Sequence, residues 1–153
     1  MATGIMDEFK DDFSLLIEAG FVAVKQLDEV SAVRIFQAAQ AISPSNTAPQ
    51  IGMGFIAINK LDIKRATQIF EGVTQKEPDN HLAQTFLGIC YLLTKGGRKK
   101  GEKIIRDTMD VTTDPTIKNL AVVSLEWTEK DLSQKSKAPF FTEPAPQPET
   151  KHE

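Results

Sequence analysis

The chain has 153 residues, of which 41% are hydrophobic and 25% charged, and its formal net charge is −3. That length is enough for one domain with a substantial core, and a mildly acidic balance lacks the clustered basic excess of a nucleic-acid-binding surface. The single cysteine, Cys90, excludes an intrachain disulfide, and the longest apolar run, Ile51–Ile58, is far short of the roughly 20 residues that cross a bilayer.

Asp7, Glu8, Lys10, Asp11 and Asp12 break up the first twenty residues, leaving no apolar stretch of the kind a secretory signal carries. No membrane insertion is expected, and the expected setting is the cytoplasm. Ile5, Met6, Phe9, Phe13, Leu16, Ile17, Phe21 and Val24 recur at three- and four-residue steps, which predicts a helix from near Asp7 to about Lys25. After a turn at Leu27-Asp28-Glu29, Val33, Ile35, Phe36 and Ala39 predict a second helix over Val30–Ala41. Ser43-Pro44-Ser45-Asn46 stops it, because proline disfavours helix in the residue before it and serine or asparagine caps the next start.

Asn46 or Thr47 is the expected cap of a third helix through Asn59, with Pro49 tolerated in its first turn. Lys60-Leu61-Asp62 turns the chain into a fourth helix, Ile63–Gln75, which Pro78-Asp79-Asn80 ends. A fifth helix is expected over His81–Thr94, then a glycine-rich basic turn over Lys95–Gly101 that is about one residue longer than its counterparts. Asp114-Pro115 is a good helix start, and Ile117, Leu120, Ala121, Ser124 and Trp127 share one face of a last helix up to about Leu132. From Ser133 the chain is proline-rich with little apolar content besides Phe140-Phe141, and an extended tail is expected.

These elements repeat. Gly20, Ala32, Phe36 and Pro44 return 34 residues later as Gly54, Ala66, Phe70 and Pro78, and Gly88 follows after another 34. With the one-residue insertion, Gly101 falls at the alanine position and Ile105 at the phenylalanine position. A 34-residue period of this composition is the signature of the tetratricopeptide repeat. The chain therefore resembles a tetratricopeptide repeat (TPR) protein. The resemblance implies an all-α solenoid of three helix-turn-helix repeats over residues 13–46, 47–80 and 81–114, the third degenerate. An N-terminal helical extension over 1–12, a capping helix over 115–132 and a tail over 133–153 complete the plan.

Little in the chain could carry chemistry. His81 and His152 have no second ligand or nucleophile at a metal or triad spacing, and Cys90 sits among Ile89 and Leu92 as a small hydrophobe does. The turn at Gly96–Glu102 lacks the Lys-Ser/Thr ending of a phosphate loop. It reads as a solvated turn or, alternatively, as a docking patch for an acidic partner built from Lys95, Arg98, Lys99, Lys100 and Lys103. No enzyme and no cofactor are expected.

In the TPR fold the first helix of each repeat lines a concave groove. By resemblance, the groove-facing residues are Ser14, Ile17, Phe21, Val24 and Lys25, then Ala48, Ile51, Phe55, Ile58 and Asn59, then Leu82, Thr85, Ile89, Leu92 and Leu93. Ile17 and Phe21 stand where a carboxylate-clamp co-chaperone would need lysine and asparagine, so that clamp is excluded. The expected partner-binding set is Ile17, Phe21, Val24, Ile51, Phe55, Ile58, Leu82, Ile89 and Leu92. Its expected occupant is the apolar helix or extended peptide of a protein client, since helix-in-groove docking is a recurrent recognition mode. The alternative makes these residues ordinary core, covered by the N-terminal segment or by a second copy.

A small acidic chain of three such repeats resembles the TPR chaperones of bacterial type III secretion, the needle-subunit group being favoured over the translocator group. The resemblance implies a cytoplasmic chaperone that covers its client's apolar segment and prevents premature polymerisation. A co-chaperone or a homodimer mate is the further partner that plan allows. The competing class is a scaffold or adaptor joining folded proteins.

Overall fold

The computed structural model describes residues 3–131, all of whose regular structure is helical. The proline-rich tail and Leu132 lie outside the described residues. Seven helices follow in chain order: α1 (Thr3–Lys25), α2 (Glu29–Ile42), α3 (Ala48–Asn59), α4 (Ile63–Lys76), α5 (His81–Leu92), α6 (Arg98–Val111) and α7 (Pro115–Asp131). α1 begins four residues earlier than the periodicity predicts. α6 begins at Arg98, inside the expected turn, so the turn is shorter than its glycines and charges suggested.

Side-chain caps explain where α2, α4, α5 and α7 start. The side chains of Asp28, Asp62 and Asn80 accept from the backbone N–H groups of Ser31, Arg65 and Ala83 at 3.1, 3.3 and 3.0 Å. Asp114 accepts from Thr116 N–H at 2.8 Å and opens α7 as expected. Each satisfies amides that have no partner inside the helix. Leu27 and Leu61, one period apart, end α1 and α3 with φ of 59° and 58°. Both chain reversals use the same backbone bonds: Leu27 N–H to Val24 O and Asp28 N–H to Ala23 O, then Leu61 N–H to Ile58 O and Asp62 N–H to Ala57 O. The third reversal replaces leucine with Gly96 at φ 79°, where a missing Cβ removes the cost of the left-handed conformation.

Helices pack mainly on their chain neighbours. α1 with α2, α3 with α4 and α5 with α6 are the closest pairs. α2–α3, α4–α5 and α6–α7 join them, with α1–α3 and α5–α7 contacts alongside. One device recurs at the pair interfaces: a large side chain rests on bare backbone. A Cβ at Gly20 would lie 2.5 Å from the Phe36 ring, one at Gly54 would lie 2.4 Å from Phe70, and one at Gly88 would lie 2.6 Å from Ile105. Ala32, Ala66, Phe36, Phe70 and Ile105 are all buried. At Gly101 even alanine is excluded, because its Cβ would come within 2.6 Å of Gly88 O and 2.9 Å of Leu92 N. The α5 and α6 backbones thus approach closely there, and the smaller Ile105 takes the place of an aromatic ring.

Phe36 is held on its other side too. A Cβ at Gly52 would fall 2.3 Å from its ring, so the ring sits between α1 and α3 glycines. One period later the same place is taken by Phe86, and Phe70 stacks on it with centroids 5.6 Å apart and planes at 20°. Two linked clusters result, one around Phe36 in the first helix pair and one running from Ile51 and Phe70 through Ile89 and Ile105 to Trp127.

This packing makes Gly54 a critical position. Gly54→Ala forces a methyl into the Phe70 ring and is expected to lower the unfolding free energy by roughly 1–3 kcal/mol, as overpacking of a filled core does. Urea unfolding followed by circular dichroism measures it. Gly72, with open space around it, is the control: Gly72→Ala is expected to leave stability unchanged or raise it.

Candidate functional site

The nine residues expected to line the groove divide sharply by burial. Val24, Ile51, Ile58, Ile89 and Leu92 are buried, with Ile58 at 1% and Ile89 at 0% exposure. Ile17, Phe21, Phe55 and Leu82 are half-buried. The cause is packing within the chain itself. Ala121, Leu125 and Trp127 of α7 belong to the same core cluster as Ile51, Ile58, Ile89 and Leu92, and α7 packs on α5 and α6. Val24 lies in the cluster around Phe36 and the other four in the cluster that α7 joins, so all five are core side chains and offer no surface to a partner in this conformation.

Four of the nine stay partly open: Ile17 and Phe21 on α1, Phe55 on α3 and Leu82 on α5. Phe21 and Phe55 meet edge-to-face with centroids 5.4 Å apart. Phe21 also meets Phe36 at 5.2 Å, and Phe55 meets Phe86 at 4.2 Å and Phe70 at 6.4 Å. The five rings form one connected chain from the first helix pair to the third. Two of its members, Phe21 and Phe55, retain exposed area, with Ile17 one turn before Phe21 on α1. Leu82 packs against the same cluster as Phe21 and Phe55. Edge-to-face geometry fixes the ring orientations, each pair contributing about 0.5–1.5 kcal/mol beyond its burial.

At their N-terminal ends α3 and α5 are tied by one carboxylate. Glu77 Oε2 accepts from Thr47 Oγ1 at 2.8 Å and from Asn80 Nδ2 at 2.9 Å. Asn80 in turn caps α5, and Thr47 immediately precedes α3. Side chains thus set the spacing of these two helices at two levels, the Glu77 link at one end and the Phe55–Phe86 contact further along. The Asn80 and Thr47 hydrogen bonds hold the Glu77 carboxyl below its ordinary value of 4.5.

Chemistry is sparse elsewhere. Cys90 is fully buried, and loss of water pushes its thiol up to about 12, which leaves it protonated and unreactive at neutral pH. Among the described residues no group of histidine, cysteine, aspartate or glutamate could hold a metal ion, and no helix is long and apolar enough to cross a membrane. Phe21, Phe36, Phe55 and Phe70 of the aromatic row were legible one by one, whereas Phe86 was not. Gly52 and Glu77 carried no signal, because neither belongs to the repeated set. No family model, no curated protein and no solved structure matches the chain.

The Glu77 link predicts a pH dependence. A carboxyl with a depressed folded value contributes stability above its unfolded value and loses it as pH falls through the folded one. Glu77→Gln keeps an acceptor oxygen but cannot titrate. Its urea midpoint is expected to fall less steeply between about pH 5 and pH 3 than that of the parent. Parallel profiles would show that the charge on Glu77 is not what binds Thr47 and Asn80.

Proposed function

We propose that this chain is a chaperone of the tetratricopeptide type, which holds the apolar face of an amphipathic helix of a protein client along the strip formed by Ile17, Phe21, Phe55 and Leu82. The client class we favour is the needle subunit of a bacterial type III secretion apparatus, whose helix would otherwise polymerise before export. The observation that carries the reading is that apolar strip, half-open and pinned by the Phe21–Phe55 contact. A rigid aromatic surface binds with little loss of side-chain freedom, and aromatic anchors dominate the energetics of protein interfaces.

Other observations support a repeat architecture of this kind. Gly20 under Phe36, Gly54 under Phe70 and Gly88 under Ile105 are the same contact at 34- and 35-residue steps. The left-handed Leu27 and Leu61 repeat with the same period. Contacts confined mainly to neighbouring helices are what a stacked array of repeats requires. The buried half of the expected groove set then serves cohesion of the stack, and the half-open members serve the client.

The test uses residues whose change need not unfold the protein. An Ile17→Glu, Leu82→Glu double variant places two carboxylates on the strip while leaving Ile58, Ile89 and Leu92 untouched. With helical content retained, it is expected to recover at least about tenfold less client in co-purification from the native cell, the equivalent of about 1.4 kcal/mol. A Val111→Glu variant, changed at an exposed residue of α6 away from the strip, is expected to recover the client in full. Full recovery by the folded double variant would overturn the proposal.

A further inference from the structure

One polar atom inside this fold is left without a partner. Asn59 Oδ1, on the last residue of α3, is buried, and among the described residues nothing donates to it. Buried side-chain acceptors are nearly always satisfied, because the water they give up has to be replaced. The repeat does not call for asparagine at this point. One period earlier stands Lys25, which is exposed, and one period later Leu93, which packs on the core cluster. An orphaned acceptor where the next repeat uses leucine breaks a local rule with no return in folding.

Asn59 also lines a cavity of about 190 Å³, where the turn between α1 and α2 meets the end of α3. Val24, Leu27 and Ile56 supply apolar walls, and the remaining lining residues are Glu29 and Lys60. Those two pair with each other at 2.9 Å, so the lining offers no unbalanced charge to an ionised ligand. The volume suits one aromatic ring with a small substituent, since an apolar cavity of about 150 Å³ takes up benzene.

We propose that this cavity binds a neutral phenolic ring, with the ring against Val24, Leu27 and Ile56 and its hydroxyl donating to Asn59 Oδ1. The hydrogen bond supplies the partner that the chain itself withholds, and the ring replaces water against the apolar walls. Ring and donor together set the class: a group without a donor leaves Asn59 unpaired, and an anion meets a lysine already paired with Glu29. The cavity shares no residue with the strip proposed for the client, so each reading stands or falls alone.

The full chain, labelled with nitrogen-15, is titrated with phenol and with toluene, in which a methyl group replaces the hydroxyl. Phenol is expected to shift the backbone amides of Leu27, Ile56 and Asn59 and the Asn59 side-chain amide saturably. Toluene is expected to bind at least about fivefold more weakly. The Asn59→Leu variant takes the residue of the following repeat. It is expected to bind phenol at least about tenfold more weakly while its urea midpoint holds or rises, because a buried orphan is removed. A purely structural role for Asn59 would lower that midpoint. N-acetyltyrosinamide distinguishes the source of the ring: binding as tight as that of phenol assigns the cavity to a tyrosine side chain, and binding by phenol alone assigns it to a free small molecule. No saturable shift with phenol would leave Asn59 to an ordered water and overturn the proposal. Equal binding of toluene, equal phenol binding by the variant, or a lowered midpoint would overturn it as well.

Discussion

A bulky side chain resting on backbone with no Cβ is the contact on which the rest of this fold depends. Phe36 lies on Gly20 and Gly52, Phe70 on Gly54, and Ile105 on Gly88. Each brings two helices closer than side-chain-to-side-chain packing would allow, and each buries its large member completely. Removing the glycine would leave the ring nowhere to go, since protein interiors have no spare volume at such points. Because the contact repeats, α1–α2, α3–α4 and α5–α6 meet in a similar way, and rings then link α1 to α3 and α3 to α5. Phe21 meets Phe55 in the first link, and Phe55 meets Phe86 in the second.

Side chains then adjust what the repeat leaves loose. Glu77 gathers Thr47 and Asn80 at the starts of α3 and α5, while Tyr91 links Glu71 of α4 to Lys100 of α6. These polar links sit toward the surface and contribute modestly, as exposed hydrogen bonds and ion pairs do. Their effect is geometric. They fix the spacing of the helices that carry the half-open apolar side chains.

Much of the fold was legible in the sequence because its cause is periodic. The spacing of Gly20, Gly54 and Gly88 against Phe36, Phe70 and Ile105 gave the helix pairing, including the one-residue slip in the third pair. The turn at Lys60-Leu61-Asp62, the stop at Pro78-Asp79-Asn80 and the cap at Asp114 gave the starts of α4, α5 and α7. The start of α1 was placed four residues late, near Asp7 in place of Thr3. α6 was started late, because Gly97 and Gly101 read as turn residues when only Gly96 has positive φ. Gly101 is instead a contact glycine within the helix.

The site was less legible than the fold. Position within a repeat says which face a side chain starts from, but not what lies over that face. Ile58, Ile89 and Leu92 share the apolar character of Phe21 and Phe55, yet they are buried in the core cluster that α7 joins. Only the assembled helices separate those sets, and the functional account rests on the separation. Photo-crosslinking in the native cell tests it most directly, with a benzoylphenylalanine placed in turn at Ile17, at Leu82 and at Val111. The account predicts that positions 17 and 82 capture the same single protein through a helical segment while position 111 captures none. Capture of that protein equally from position 111, or no capture from 17 and 82, would contradict it.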